Sequence, residues 1–266
     1  MAKQHRSDFY QLAREAVTQP QESMVEVPEG NKSISIGVPK ETSYQENRIG
    51  LNPQAVNLLV NNGHEVTVES KAGEDAKFTD NQFSEAGAQI AYDRRKVYQS
   101  DIIIKVAFPT DEEIDFMKTG QTLISALYLP LLKRSQVKQL MDKKITALAF
   151  EFLRDDFDLY PVVQSMSEIA GSAAILIGAE YLTNFTHGKG VMLGGTSGVP
   201  PSDVVIIGAG TVGQNAAKAA LGLGAQVKVF DNSLFKLRRM KNFQMGNVYT
   251  SINHPDVLTD ALKQAD

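Results

Sequence analysis

The feature that most constrains this fold is a glycine-rich turn between a β-branched run and a helix-forming stretch. Val204–Ile207 is an unbroken apolar run, as expected for a strand that is buried on both faces. Strong helix formers follow at 211–221, and a second predicted strand at 226–230 ends at Asp231. The glycines between the first strand and the helix have the spacing G-x-G-x-x-G: Gly208, Gly210 and Gly213. This order predicts a βαβ unit and a parallel sheet.

Each glycine has a mechanical role in such a turn. Gly208 permits the tight change of direction, and Gly210 has no Cβ to keep a pyrophosphate away from the backbone. Gly213 lets the helix pack close to the strand, and Thr211 and Val212 begin a helix whose unpaired N–H groups face an anion. We therefore predict dinucleotide binding; the alternative is a glycine-rich turn in an α/β domain that binds no nucleotide.

The acid after the second strand indicates which dinucleotide is bound. Asp231 follows Gly208 by about 20 residues, the usual position of an acceptor for the adenosine ribose hydroxyls. A carboxylate there would also repel a 2′-phosphate, which predicts NAD rather than NADP. Lys236 follows on the next predicted helix, where it either contacts the adenosine side or lies on a solvated helix face.

The first half of the chain also alternates short apolar runs with helical stretches. Predicted strands cover 33–38, 65–68, 101–106, 122–125 and 146–150, and predicted helices cover 53–62, 80–86, 93–99, 111–117 and 133–143. A longer helix is predicted from Ser167 to Asn184, with Ser167 as its N-cap. The whole pattern predicts an α/β fold with parallel sheets.

Composition excludes several classes of function. Lys and Arg total 27 against 31 Asp and Glu, and this net charge of -4 argues against a nucleic-acid partner. The absence of cysteine excludes disulfides and thiolate metal sites, and four histidines make no metal site that we can identify. We find neither a secretory signal nor a run of the about 18–20 apolar residues that cross a bilayer, and we predict a cytoplasmic protein.

Three stretches resemble one known family. Residues 36–74 are similar to the opening of the alanine dehydrogenase / nicotinamide nucleotide transhydrogenase α-subunit family. The segments SMSEIAGSAA at 165–174 and GVMLGGTSGVPPSDVVIIGAGTVG at 190–213 resemble its dehydrogenase branch in particular. The resemblance covers about 34–266.

This resemblance implies two Rossmann-like parallel-sheet domains with the active site in the cleft between them. Residues 34–160 would form the substrate domain and 161–266 the NAD-binding domain, after an N-terminal extension and linker at 1–33 with a short amphipathic helix. Because a sheet of this kind normally continues past the helix that ends near Asp266, we expect the second domain to be incomplete. We also expect the fragment to be inactive by itself.

The resemblance also assigns roles to individual residues. Arg48 matches the family arginine that holds the substrate carboxylate; the alternative is a surface ion pair with Glu46 or Glu41. Ser167 matches a position near the substrate and the cofactor phosphate, although serine at a helix start is often only a cap. Lys236 matches a residue near the adenosine end.

Two departures from the family affect the predicted chemistry. Alanine dehydrogenases carry a lysine where this chain has Ala107, and a catalytic histidine where it has Tyr128. Tyr128 can donate a hydrogen bond, but its ordinary pKa of about 10 makes it a poor proton shuttle at neutral pH. Lys105 lies two residues before Ala107 and either reaches the site or has a structural role. The catalytic candidates are therefore Arg48, Tyr128 and Lys105.

Three hypotheses of function follow. The first is an NAD-dependent oxidoreductase resembling alanine dehydrogenase, which converts a small L-amino acid to a 2-oxo acid by hydride transfer. The second is a transhydrogenase α-subunit-like hydride carrier that works with a membrane subunit. The third is a non-catalytic NAD-binding protein. The family also implies a homo-oligomer.

Overall fold

The chain folds into two units, which are seen in a computed structural model that describes residues 33–242 and 248–266. The division follows Leu148, so that the described part of the first unit is 33–148 and that of the second is 149–242 and 248–266. The domain boundary predicted from the sequence lies slightly later, after residue 160. The N-terminal helix and linker predicted within 1–32 lie outside the described residues.

The first unit is built on a six-stranded parallel sheet. Its strands are β1 (Ser35–Val38), β2 (Glu65–Glu69), β3 (Gln89–Ala91), β4 (Ile102–Ile104), β5 (Thr122–Ser125) and β6 (Thr146–Ala149). Their spatial order is β3-β2-β1-β4-β5-β6. Val38, Val68 and Ile103 are fully buried in it, as expected for a sheet that is covered on both faces.

Within residues 33–148, five α-helices cover the sheet. They are α1 (Pro53–Asn61), α2 (Asp80–Glu85), α3 (Arg94–Val97), α4 (Asp111–Phe116) and α5 (Arg134–Asp142). Val56 of α1 and Phe83 of α2 belong to one apolar cluster, and Ile114 of α4 and Leu140 of α5 belong to another. The predicted α/β fold is therefore confirmed, with helices packed on the sheet through two separate clusters.

The strand order reverses between β1 and β4. From β1 the chain proceeds through β2 to β3 on one side, and from β4 through β5 to β6 on the other. In an open sheet of this kind, ligands bind outside the carboxyl ends of the strands at the point of reversal. The loops that follow β1, β4 and β5 are therefore where a site is expected.

The second unit contains a three-stranded parallel sheet within its described residues. The strands are β7 (Asp203–Ile207), β8 (Gln226–Phe230) and β9 (Val248–Ser251), in the spatial order β7-β8-β9. The helices are α6 (Pro161–Leu182), α7 (Thr211–Gly222), α8 (Leu234–Asn242) and α9 (Pro255–Gln264). Helix α6 crosses α7 closely because Gly171 has no side chain: a Cβ there would overlap the carbonyl oxygen of Val212.

Helix α6 differs from the prediction in two respects. It begins at Pro161, so Ser167 is an interior residue, and its predicted role as N-cap is wrong. Proline suits the first turn of a helix because its missing N–H has no partner there. The helix is also long and apolar enough, by length and composition alone, to cross a membrane. We did not expect this, because serines and Glu168 interrupt its apolar run.

Candidate active site

In the glycine turn of the second unit, the fold requires glycine at 208 and 213, whereas glycine at 210 leaves space for a ligand. Gly208 has a φ of +108°, which favours glycine, and a Cβ on Gly213 would overlap the carbonyl oxygen of Gly208. A Cβ on Gly210, by contrast, would meet no described atom within 4 Å. The space outside Gly210 is therefore open to a group that approaches the backbone, as the dinucleotide prediction requires.

The start of α7 offers backbone donors to an anion. Gly210 is the N-cap and has no side chain, so no side chain caps this helix, and the N–H of Gln214 bonds to the carbonyl of Gly210 at 2.9 Å. Thr211 and Val212 form the first turn, and Val212 is exposed. Uncapped N–H groups and the helix dipole together favour a bound phosphate.

Asp231 lies beside this turn because β8 is the neighbour of β7. Its carboxylate accepts hydrogen bonds from the N–H of Ala209 at 2.8 Å and the N–H of Ser233 at 2.7 Å. These two bonds, that from Ala209 first, hold the pKa of Asp231 below its usual value. A carboxylate can accept about four hydrogen bonds, so acceptor capacity is left for ribose hydroxyls.

The two remaining cofactor candidates lie on helices next to this turn. The Nζ of Lys236, in α8, is 4.0 Å from the carboxylate of Asp231, and its side chain is half exposed. Ser167 lies in α6 one turn before Gly171 and therefore shares its helix face. Gly171 contacts α7 at Val212. The structure thus brings Lys236 to the acid, and it places Ser167 on the face of α6 that packs against α7.

In the first unit, three loops at the sheet reversal carry the other candidates. Arg48 follows β1, Lys105 and Ala107 follow β4, and Tyr128 follows β5. Because parallel strands end at the same edge of a sheet, these loops are neighbours. Along the chain, Arg48, Lys105 and Tyr128 are separated by about 20 to 80 residues.

Lys105 is buried inside a cluster of two carboxylates. Its Nζ lies 3.1 Å from Oε1 of Glu113 and 3.5 Å from Oε2 of Glu41. The exposed fractions of the three side chains are 0% for Lys105, 2% for Glu113 and 4% for Glu41. This arrangement favours the structural role that we gave as the alternative for Lys105, because its ammonium is directed at protein carboxylates rather than at solvent.

Glu41 joins the loops that follow β1 and β4. One of its oxygens accepts from the N–H of Val106 at 2.6 Å, and the other from the N–H of Ala107 at 3.3 Å. Burial raises the pKa of Glu41, against the opposing effect of Lys105. A raised pKa is one property of a general base, but both oxygens already accept protein hydrogen bonds. Glu41 is therefore a structural anchor of this edge.

Glu113 ties α4 to the same cluster. Burial alone would raise its pKa, but Lys105 and the N–H of Thr110 outweigh that effect and hold the pKa below its usual value. Oε2 of Glu113 accepts from the N–H of Thr110 at 2.8 Å, which completes a capping box at the start of α4. Sequence reasoning did not identify Glu41 or Glu113 as a partner of Lys105, although the T-x-x-E spacing of Thr110 and Glu113 is a recognisable signal of a capping box.

Arg48 forms the ion pair with Glu46 that we gave as its alternative role. The Nε–Oε1 distance is 2.7 Å and the Nη2–Oε2 distance is 2.6 Å. The hydrogen bond with Glu46 raises the pKa of Arg48, with smaller contributions from Tyr128 and Glu41. Arg48 is therefore electrostatically coupled to Tyr128 in the loop after β5 and to Glu41 in its own loop, and 47% of its side chain is exposed.

Tyr128 has an unusual backbone at this edge. Its φ of 42° and ψ of 53° are left-handed, and 58% of the residue is exposed. Such a conformation costs a residue with a side chain about 1–3 kcal/mol, and strain of this kind is concentrated at functional sites. The loop after β5 thus holds an exposed phenol near Arg48 at a cost in stability.

Models of protein families match nearly the whole described chain. The N-terminal domain of "Alanine dehydrogenase/PNT" matches residues 37–170, and the C-terminal domain of the same family matches 174–266. The chain belongs to the alanine dehydrogenase/PNT family. The resemblance seen in the sequence is therefore confirmed.

Curated relatives of the family include alanine dehydrogenases from staphylococci. An alanine dehydrogenase of Staphylococcus epidermidis is 40% identical over 234 residues, which are 88% of this chain and 62% of that protein. Alanine dehydrogenase 2 of Staphylococcus aureus is 39% identical over the same shares. This chain thus spans 62% of the length of these relatives.

Solved structures agree with the sequence comparison. An L-alanine dehydrogenase superposes with a TM-score of 0.82 at 38% identity, over 87% of this chain and 64% of that one. A transhydrogenase from Sinorhizobium meliloti superposes with a TM-score of 0.70 at 23% identity, over 86% and 64%. The second likeness shows the fold alone, whereas the first also carries sequence similarity to the dehydrogenases.

Proposed function

We propose that this protein is an NAD-dependent dehydrogenase of a small L-amino acid. The observation that carries the proposal is the turn after β7, where open space at Gly210, the uncapped start of α7 and the carboxylate of Asp231 lie together. These groups fit the backbone, pyrophosphate and ribose contacts of a dinucleotide. Family membership and the similarity to alanine dehydrogenases support the amino-acid substrate.

The proposed reaction is an oxidative deamination. NAD, when bound, accepts the hydride that leaves Cα of the amino acid. The nitrogen loses a proton as the C=N bond of the imine forms, and water then adds to that carbon and displaces ammonia. The ammonia takes up a proton, and the products of the amino acid, NAD and water are a 2-oxo acid, NADH, ammonium and one proton.

The residues of the chain bind and orient the reactants in this proposal. Arg48 holds the substrate carboxylate through a guanidinium–carboxylate pair. Asp231 accepts hydrogen bonds from the ribose hydroxyls, and the N–H groups of Thr211 and Val212 face the pyrophosphate. Lys236 lies at the adenosine end, close to Asp231.

Tyr128 has a different role from the histidine it replaces. A phenol O–H is a hydrogen-bond donor, so we assign Tyr128 hydrogen-bond donation to the substrate rather than proton abstraction. Ala107 supplies no cation. The chain is therefore a dehydrogenase whose acid–base chemistry depends less on protein side chains than that of the relatives it resembles.

The proposal also covers the location, the oligomeric state and the substrates of the protein. We propose a cytoplasmic homo-oligomer that takes small amino acids or 2-oxo acids as substrates. The family similarity supports the substrates, because the relatives are named alanine dehydrogenases. Exposed apolar side chains on α6, among them Ile169, Leu176 and Tyr181, are surface of the kind that association buries.

A substrate panel tests the proposal. NADH formation is followed with NAD and each of the small L-amino acids, using the protein as its own gene encodes it, beside the variant Arg48→Met. We expect reduction of NAD with at least one amino acid and loss of that activity in the variant. NADH binding with no turnover of any amino acid would reject the dehydrogenase. Hydride exchange between NADH and NADP with a membrane subunit would then favour the transhydrogenase alternative.

A further inference from the structure

The guanidinium of Arg48 has two edges that can pair with a carboxylate, and Glu46 occupies one of them. Nε and Nη2 donate to the two carboxylate oxygens of Glu46 at 2.7 Å and 2.6 Å. This is the side edge of the planar group. The end edge, formed by Nη1 and the second hydrogen of Nη2, points away from Glu46 by the geometry of the guanidinium.

Glu46 is itself held firmly. Its side chain is only 14% exposed, and its Oε1 also accepts from the backbone N–H of Arg48 at 3.1 Å. The N–H of Glu46 bonds to the carbonyl of Ser43 at 3.1 Å, and Gln45 has a left-handed φ of 59°. The pair therefore belongs to a tight turn rather than to two long side chains that meet on a surface.

Glu46 has the charge state that an ion pair with Arg48 requires. The hydrogen bond from Arg48 holds the pKa of Glu46 below its usual value, against the opposing effect of burial. Glu46 is therefore ionised at neutral pH. A charge-assisted pair of this geometry restrains rotation of the guanidinium more strongly than a single hydrogen bond would.

We propose that Glu46 is a positioning residue that directs the end edge of Arg48 to the carboxylate of the substrate. The inference rests on the proposed function, in which Arg48 binds that carboxylate. An arginine that is already oriented loses less rotational freedom when the substrate binds. The cost is that one negative charge stays beside the site, so the pair contributes orientation rather than attraction.

Two conservative variants form the test. Glu46→Gln keeps the size of the side chain but replaces one acceptor oxygen with an NH₂ group, which cannot accept from Nη2. Glu85→Gln is the matched control, because Glu85 is an exposed residue at the end of α2. Both variants remove one negative charge from the first unit.

The first readout is the set of Nη–H signals of Arg48 in a ¹H–¹⁵N spectrum, assigned by their loss in Arg48→Lys. We expect separate, slowly exchanging Nη–H signals in the wild type and in Glu85→Gln, and averaged, fast-exchanging signals in Glu46→Gln, because the NH₂ group of Gln cannot accept from Nη2. Separate Nη–H signals that survive in Glu46→Gln would show that Glu46 does not restrain the guanidinium, and they would overturn the inference.

The second readout separates orientation of the substrate from stability of the fold. We expect Glu46→Gln to raise KM for the 2-oxo acid by about tenfold, as for loss of a charge-assisted contact, and to change KM for NADH by less than about twofold. A KM for the 2-oxo acid that is unchanged in Glu46→Gln but raised in Arg48→Met would overturn the positioning role alone. A KM unchanged in both variants would overturn the carboxylate role of Arg48, and this inference with it.

Discussion

The contacts of Lys105 favour a structural role over the catalytic one that the sequence also left open. Its ammonium is enclosed by Glu41 and Glu113, and these three side chains tie the loop after β1 to the loop after β4. We predict that Lys105→Met destabilises the first unit by about 3–5 kcal/mol, because two buried carboxylates lose their counter-ion. Urea unfolding measures this change.

The control for that prediction is Lys96→Met, since Lys96 is an exposed residue of α3. We expect the free energy of unfolding to change by less than about 0.5 kcal/mol there. Equal changes in the free energy of unfolding for Lys105→Met and Lys96→Met would show that the buried ion pairs of Lys105 do not stabilise the fold.

Substitution of Ala107 and Tyr128 tests the two departures from the family that affect the proposed acid–base chemistry. We predict that the double variant Ala107→Lys/Tyr128→His raises kcat/KM for alanine by about 100-fold, because a titrating imidazole and a cation return to the positions they hold in the dehydrogenases that the chain resembles. Steady-state kinetics against alanine measure it. Lower activity in the double variant than in the wild type would mean that Tyr128 already performs the proton chemistry.

The position of a residue in the fold could be predicted where a residue type and a spacing are informative, but not where its partners are distant in the chain. The glycines and Asp231 could be placed because the turn is local. Glu41 could not be recognised as a partner of the loop that contains Lys105, because the two are far apart in the chain. Val106, whose N–H donates a hydrogen bond to Glu41, lies 65 positions after it. Burial of a charged group depends on contacts that only the folded chain brings together.

At the scale of elements, substitutions in the turn between β7 and α7 can separate an effect on stability from an effect on ligand binding. We predict that Gly213→Ala destabilises the second unit by about 3 kcal/mol, because its Cβ would overlap the carbonyl oxygen of Gly208. Gly210→Ala should change stability by less than about 0.5 kcal/mol, since its Cβ meets no described atom. Thermal unfolding of each variant checks both values.

The same pair of variants separates binding from folding. We expect Gly210→Ala to lower NADH affinity at least about tenfold, because the methyl group occupies the space that a pyrophosphate approaches. Fluorescence titration with NADH measures this. Unchanged affinity in a folded Gly210→Ala protein would show that NADH binds elsewhere.

The acid at the end of β8 determines the choice of cofactor in our account. We predict that Asp231→Asn weakens NADH binding by about tenfold and narrows the preference for NADH over NADPH, because the lost charge no longer attracts hydroxyls or repels a phosphate. Asp260→Asn is the control, since Asp260 is exposed on α9. A preference for NADPH in the wild type would contradict the role of Asp231.

The elements could be predicted unevenly from the sequence. Strand β5 has the bounds that its apolar run predicts, whereas β3 was missed because three residues give too short a pattern. Helix α6 starts six residues before the predicted cap, because Pro161 begins a helix as well as a serine does. Local signals thus define the type of an element better than its ends.

At the scale of the molecule, the described chain is two α/β units, and α6 carries several of the exposed large apolar residues. Exposed surface of this kind is unusual for a protein that works alone. We predict that sedimentation equilibrium gives a mass that is a multiple of the mass of one chain. A single-chain mass at all concentrations would contradict the proposed homo-oligomer.

The central claim is that hydride passes between Cα of an amino acid and NAD on this protein. Incubation of the protein and NAD with a mixture of Cα-deuterated small L-amino acids tests it directly, with the NADH recovered and examined by mass spectrometry. Our account predicts NADH that carries one deuterium, and loss of the label with Arg48→Met. Binding of NAD without any deuterated NADH would contradict it.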